Sequence, residues 1–97
     1  SATVDKVTSS IAGFVGSTQV TVFFSADMNK ASAETAANYV LSSGPALLAE
    51  NGVVYDAANN SVTLTYVSAI PAGVTLTVSG VTDANGIVVE SNTKTFD

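Results

Sequence analysis

Two stretches, S-V-T-L-T-Y over Ser61 to Tyr66 and V-T-L-T-V-S over Val74 to Ser79, alternate apolar and hydroxyl residues with a period of two. That period puts one face of an extended strand into a core and the other into water. In the first, Val62, Leu64 and Tyr66 share one face and Ser61, Thr63 and Thr65 the other. In the second, Val74, Leu76 and Val78 alternate with Thr75, Thr77 and Ser79. After it, Gly80 to Gly86 offers a sharp reversal, and Ile87-Val88-Val89 is predicted to pair back as a hairpin.

The same grammar recurs along the chain. Val4 to Ile11 reads as an edge strand, broken by the glycine-bearing turn Gly13 to Thr18. Gln19 to Ser25 alternates Val20, Val22 and Phe24 against Thr21 and Phe23. Ser32 to Asn38 is the one helix-favouring segment, with Ser32 as its cap, and barely two turns suit a crossing between sheets. Tyr39 to Ser42 resumes extension and Ser43-Gly44-Pro45 turns it. Ala46 to Ala49 and Val53 to Asp56 are short strands around Glu50-Asn51-Gly52, where Asn-Gly marks a tight hairpin turn. Asp56 to Asn60 is another turn, Ile70 to Gly73 leads into the second alternating strand, and Ile87 to Phe96 closes the domain. Pro45 and Pro71 both fall outside strand interiors, as proline's missing N–H requires. About seven short strands, with turn signals roughly every 8 to 12 residues, describe an all-β, immunoglobulin-like antiparallel sandwich, with a small barrel as runner-up.

Ninety-seven residues make a single domain over 1–97, and a start at Ser1 without Met reads as a piece of a longer polypeptide. Three Lys and no Arg against eight acids give a net charge of −5. Nucleic acid and anionic membranes are poor partners for such a chain, because phosphates must be neutralised by basic side chains. No apolar run reaches the roughly 18 residues of a membrane-spanning helix. With no His and no Cys, neither a Ser-His-Asp nor a Cys-His arrangement is possible within these residues, and no thiolate is available for zinc. Asp27, Glu34, Asp56, Asp83 and Glu90 fall mostly at predicted turns or strand ends, where solvated acids are a better reading than a hydrolytic pair. No catalytic residue is nominated.

Asp83-Ala84-Asn85-Gly86 carries oxygen ligands at alternate loop positions, a pattern that suits calcium, and it is also what a hairpin turn requires. Turn chemistry is the preferred reading and no cofactor is expected. If calcium binds, Asp27, Asp83 and Asn85 are its candidates. Gly13 to Thr18 lacks the lysine and the strand-to-helix context of a phosphate loop. Asn59-Asn60-Ser61 matches the N-glycosylation pattern at a turn, with a bare turn preferred. Lys6 and Asn92 are a candidate isopeptide pair, against the simpler reading of an exposed lysine. The tyrosines 39, 55 and 66 and the phenylalanines 14, 23, 24 and 96 read as core rather than as a sugar-stacking platform.

Four blocks taken together carry a resemblance: Val22-Phe23-Phe24-Ser25-Ala26-Asp27-Met28-Asn29, Ser61 to Thr65, Pro71 to Gly86, and Thr93-Lys94-Thr95-Phe96. The chain resembles the bacterial immunoglobulin-like domains of S-layer proteins and other large surface proteins through its F-S-x-x-M block, its T-L-T strand and its A-G-x-T-x-T-V-x-G-V-x-D-x-x-G block. Leu76 departs from the pattern, since related domains often place an aromatic there. The resemblance implies a spacer or lattice-contact module on a bacterial exterior, whose partners are neighbouring domains of the same chain or other copies in a surface array. It implies calcium dependence in many members. An adhesin or carbohydrate-binding accessory module of a secreted protein is the alternative it leaves open.

Overall fold

A computed structural model describes residues 6–97. Seven strands form two antiparallel sheets. Strands β1 (Ser9–Ala12), β2 (Gln19–Phe24), β4 (Val53–Asp56) and β5 (Ser61–Thr65) make a four-stranded sheet in the order β1-β2-β5-β4. Strands β3 (Tyr39–Leu41), β6 (Thr75–Val78) and β7 (Asn92–Thr95) make a three-stranded sheet in the order β3-β6-β7. Expected and observed strands agree closely for β2, β3, β4, β5 and β6. The first strand is shorter than its apolar residues implied: Val4 lies outside the described residues, and Val7 is buried without belonging to a ladder.

Register follows from the alternation. Across the larger sheet, Val20, Leu64 and Val53 form one inward row, and Ile11, Val22, Val62 and Tyr55 the next. In the smaller sheet, Tyr39 aligns with Val78 and Leu41 with Leu76. Phe96, Leu64, Ile70, Leu76, Val20, Val22, Val62, Val78 and Val81 are the largest fully enclosed side chains. Burial of each such side chain stabilises the fold by about 1.5–3 kcal/mol. Ser61 departs from the expected outer face: it is buried, because Phe23 stands directly opposite it on the same side of the sheet and is large enough to cover it.

The connection from β2 to β3 crosses between sheets through helix α1 (Lys30–Ala33) and a 3₁₀ turn, Ala36–Asn38. Its cap is Asn29 rather than Ser32: the Asn29 side chain accepts the Ser32 N–H at 3.0 Å. The Ser32 hydroxyl is occupied by Thr82, 50 residues away, accepting the Thr82 N–H at 3.0 Å and lying 3.1 Å from its hydroxyl. A long-range bond thus takes the residue that local sequence assigns to the cap.

Two hairpin expectations are corrected. Ala46 to Ala49 forms no strand against β4; Leu47 bridges Tyr66, and the Leu48 N–H donates to the Thr65 carbonyl. Both sides of the Glu50-Asn51-Gly52 loop therefore face β5, which also takes the Gly52 carbonyl through the Thr65 N–H. Ile87 to Val89 does turn back, but onto Val81 to Asp83: Thr82 bridges Val88, and the Val89 N–H donates to the Val81 carbonyl at 2.7 Å. Strand β6 is already paired on both sides, with β3 and β7, so this small hairpin is an excursion between β6 and β7.

Candidate functional site

Chain direction places the loops. β1 runs from Ser9, opposite Phe24, to Ala12, opposite Thr21. At its Ser9 end, Lys6, Val7, Ser25, Ala26, Asp83, Asn85 and Ile87 line an open depression of about 610 Å³. At its Ala12 end, Gly13, Phe14 and Val15 line a smaller one of about 310 Å³ together with Lys94 to Asp97. The described chain thus enters at one pole and leaves at the other, in a body with extents of 46 × 25 × 20 Å.

The entry pole gathers most of the acids nominated from sequence. Asp83 is 6% exposed, and one of its oxygens, Oδ1, accepts the main-chain N–H of Asn85 at 2.9 Å and of Ile87 at 2.8 Å. The Asp83 N–H donates to the Ile87 carbonyl at 2.9 Å, closing the hairpin from both sides. Gly86 has φ 84°, a left-handed conformation that costs a residue without Cβ nothing. Met28 bridges Asp83, and the Ala84 N–H donates to the Asp27 carbonyl at 2.9 Å. Main-chain bonds therefore bring Asp27 and Asp83 to one rim. Asp27 itself is exposed; the Asn60 amide, oriented with its nitrogen toward its acceptors, donates to Asp27 Oδ1 at 2.7 Å and to the Ala57 carbonyl at 3.3 Å. The Asn85 side chain projects into solvent. Among the described residues, no three His, Cys, Asp or Glu side chains converge as metal ligands would.

Two residues of this pole had no signal in the sequence beyond their type. Glu34 Oε2 accepts the main-chain N–H of Tyr55 on the edge strand β4 at 2.9 Å, and the Tyr55 hydroxyl oxygen accepts the Met28 N–H at 2.9 Å. A carboxylate at the C-cap of α1 and a strand-borne phenol thus tie both ends of that short helix to the free edge of β4. Edge strands offer unpaired N–H and C=O groups to other chains, and covering them is a recurrent protection.

The remaining nominations fall as follows. Lys6 pairs with Glu90 at 3.7 Å, their side chains 78% and 52% exposed, a surface ion pair of little energetic weight. Asn92 is engaged elsewhere: Nδ2 donates to the Ser9 carbonyl at 2.8 Å and Oδ1 accepts the Thr93 N–H at 2.9 Å, joining the β1 and β7 edges. Asn59 Nδ2 donates to Asp56 Oδ2 at 2.7 Å within its turn. Tyr39, Tyr66, Phe24 and Phe96 are core, but Phe14 (79% exposed) and Phe23 (45%) are not. Phe14 lies in the loop before β2 and Phe23 near the far end of that strand, so the two do not form one stacking platform. Burial pushes the Tyr66 phenol up to about 12 and raises Tyr39 as well, the latter aided by the Glu34 carboxylate; the Tyr39 hydroxyl donates to the Ala33 carbonyl at 2.6 Å.

No protein-family model and no curated protein matches the chain. Among solved structures, the fold is similar to part of the crystal structure of the S-layer protein rSbsC(31-844). The TM-score is 0.59 at 22% sequence identity, over 97% of this chain and 13% of that one. At that identity the likeness is one of fold. No helix among the described residues is long and apolar enough to cross a membrane.

Proposed function

We propose that this domain is a non-catalytic structural module of a bacterial cell-surface protein, an S-layer protein foremost, serving outside the cell as a spacer or a lattice contact. The observation that carries the reading is the placement of Lys6 and Asp97 at opposite poles. A module threaded end to end adds its length to an array, and tension between its ends loads the β1–β2 and β6–β7 ladders along the strands, so that several bonds must fail together. The fold likeness to 13% of an S-layer chain supports a role as one segment of a larger assembly. The strand order, β1-β2-β5-β4 facing β3-β6-β7, is that of a seven-stranded immunoglobulin-type sandwich, which supports the finer family reading. In the same reading, Asp83 anchors its turn through main-chain bonds, and the domain needs no cofactor to fold.

Sedimentation velocity over a concentration series, with calcium and then with chelator, tests this. A monomer in both conditions fits a spacer; calcium-dependent association fits a lattice contact and makes Asp27 and Asp83 candidate ligands. A soluble glycan bound at millimolar concentration or tighter would replace the structural reading with that of a carbohydrate-binding accessory module.

A further inference from the structure

The sequence holds two Asn-Gly pairs, Asn51-Gly52 and Asn85-Gly86. Both have the composition that favours attack of a main-chain nitrogen on the preceding asparagine side chain, because glycine puts no Cβ in the way. The fold separates them.

Gly52 is buried, and a Cβ built on it would meet the Leu48 carbonyl oxygen and lie 2.9 Å from the Leu48 nitrogen. Its carbonyl is also held by the Thr65 N–H at 2.8 Å. The Leu48 main chain therefore packs directly on Gly52 and leaves little room for the main-chain rotation that ring closure requires. Around Gly86 there is nothing within 4 Å of a Cβ position, and both Asn85 and Gly86 are exposed. The Gly86 N–H makes one bond, to the Asp83 carbonyl at 3.1 Å, toward the long end of the usual range. Neither the Asn85 nor the Asn51 side chain makes a hydrogen bond among the described residues, and both are exposed, so the two sites differ in the surroundings of their glycines.

We propose that Asn85-Gly86 is a self-modification site, at which the domain converts its own asparagine to isoaspartate and aspartate with water as the only co-reactant. The Gly86 nitrogen forms a bond to Asn85 Cγ, the Cγ–Nδ2 bond breaks, and ammonia leaves with the proton that the Gly86 amide gives up. One water then opens the resulting five-membered imide. Cleavage at the Cγ–N bond gives aspartate, and cleavage at the bond between the Asn85 main-chain carbonyl carbon and the Gly86 nitrogen gives isoaspartate. Nothing is oxidised or reduced.

Either product adds a negative charge beside Asp83, and isoaspartate adds a carbon to the main chain between the α-carbons of 85 and 86. The extra carbon lengthens the span between the Asn85 and Ile87 N–H groups that Asp83 Oδ1 holds together, so isoaspartate, unlike aspartate, loosens the hairpin that joins Asp27 to this pole.

The test is incubation of the folded protein in mildly alkaline buffer, followed by peptide mapping for deamidation and isoaspartate. Conversion at Asn85 is expected to outrun Asn51 by at least about tenfold, a factor equivalent to about 1.4 kcal/mol of barrier. In denaturant the two rates should converge. Asp83→Ala, which frees the turn, should speed Asn85 at least about threefold while leaving Asn51 slow; a rise at both sites would mark unfolding, and the comparison then rests on the wild-type protein. Equal rates at the two sites in the folded protein would overturn the proposal. So would an Asn85 that stays intact while an unstructured peptide of residues 81–88 converts.

Discussion

Replacing Asp83 with alanine removes an acceptor from two main-chain donors at once. Hydrogen bonds to an ionised group contribute about 1.5–3 kcal/mol each. The Ile87 N–H is half-buried and finds no substitute, while the Asn85 N–H lies in an exposed turn and regains water. Counting the first bond fully and the second at about half puts Asp83→Ala at about 2–4 kcal/mol. For a domain near 100 residues each kcal/mol shifts the melting temperature by about 4–8 °C, so a fall of about 10–30 °C is expected. Asp83→Asn keeps an oxygen but loses the charge and should fall between. Asn85→Ala, whose side chain bonds nothing among the described residues, should stay within about 0.5 kcal/mol of wild type. Guanidinium midpoints and thermal melts followed by circular dichroism, in calcium and in chelator, measure all three. An Asp83→Ala cost below about 1 kcal/mol, or no larger than that of Asn85→Ala, would refute the view that this carboxylate holds the turn. Calcium supplies a second check, since a ligand at a hundred times its Kd stabilises by about 2.7 kcal/mol. A wild-type melt that drops on chelation, with Asp83→Ala indifferent, would make the partner of the carboxylate a cation rather than the main chain.

Leu64→Ala should cost about 2–5 kcal/mol and Thr63→Ala far less, since Leu64 is fully enclosed and Thr63 lies on the outer face; equal denaturant midpoints would overturn the assigned strand faces. Between pH 10 and about 12 the folded protein keeps the Tyr66 proton that the unfolded chain has already lost. Stability is therefore full below pH 10 and falls as pH rises through that window, by up to about 1.4 kcal/mol per pH unit for each such tyrosine. Urea midpoints across the window should fall less steeply for Tyr66→Phe, and an unchanged slope would show that Tyr66 titrates normally. Glu34→Ala uncovers the Tyr55 N–H on the β4 edge and is expected to raise self-association in sedimentation experiments while leaving the strands intact by circular dichroism; a variant as monomeric as wild type would show that the edge needs no such cover.

Much of the fold was legible because burial in a sandwich is written at a period of two, and β5 and β6 keep that period without interruption. What misled was local signal overruled by distant partners. Asn51-Gly52 has hairpin chemistry, yet Leu48 and Gly52 both bond to Thr65, so the loop serves a third strand rather than joining two. Ser32 has the chemistry of a cap, yet Thr82 takes it and Asn29 caps instead. Ser61 has the chemistry of an outer face, yet a phenylalanine across the ladder buries it. No window of sequence around any of these residues contains the partner that decides its role.

The entry pole shows the same limit for the candidate site. Asp83 and Gly86 were readable as turn residues because their roles are met within four positions, by the N–H groups of 85 and 87 and by a positive φ. That Asp27 shares their rim depends on the Ala84 N–H reaching its carbonyl and on Met28 bridging Asp83, contacts across more than fifty residues. Glu34 and Asn92 are less legible still, since each serves a strand edge whose position is known only once the order of strands is known. These polar residues work at the margins of the two sheets. Three free or exposed edge groups, the Tyr55 and Thr93 N–H and the Ser9 carbonyl, are each met by one of these two side chains. An unprotected edge pairs indiscriminately with neighbouring chains, so such covers matter most at high local concentration. On that ground the edge-covering residues, rather than the acidic loop, are where the array role proposed above would be most visible in this chain.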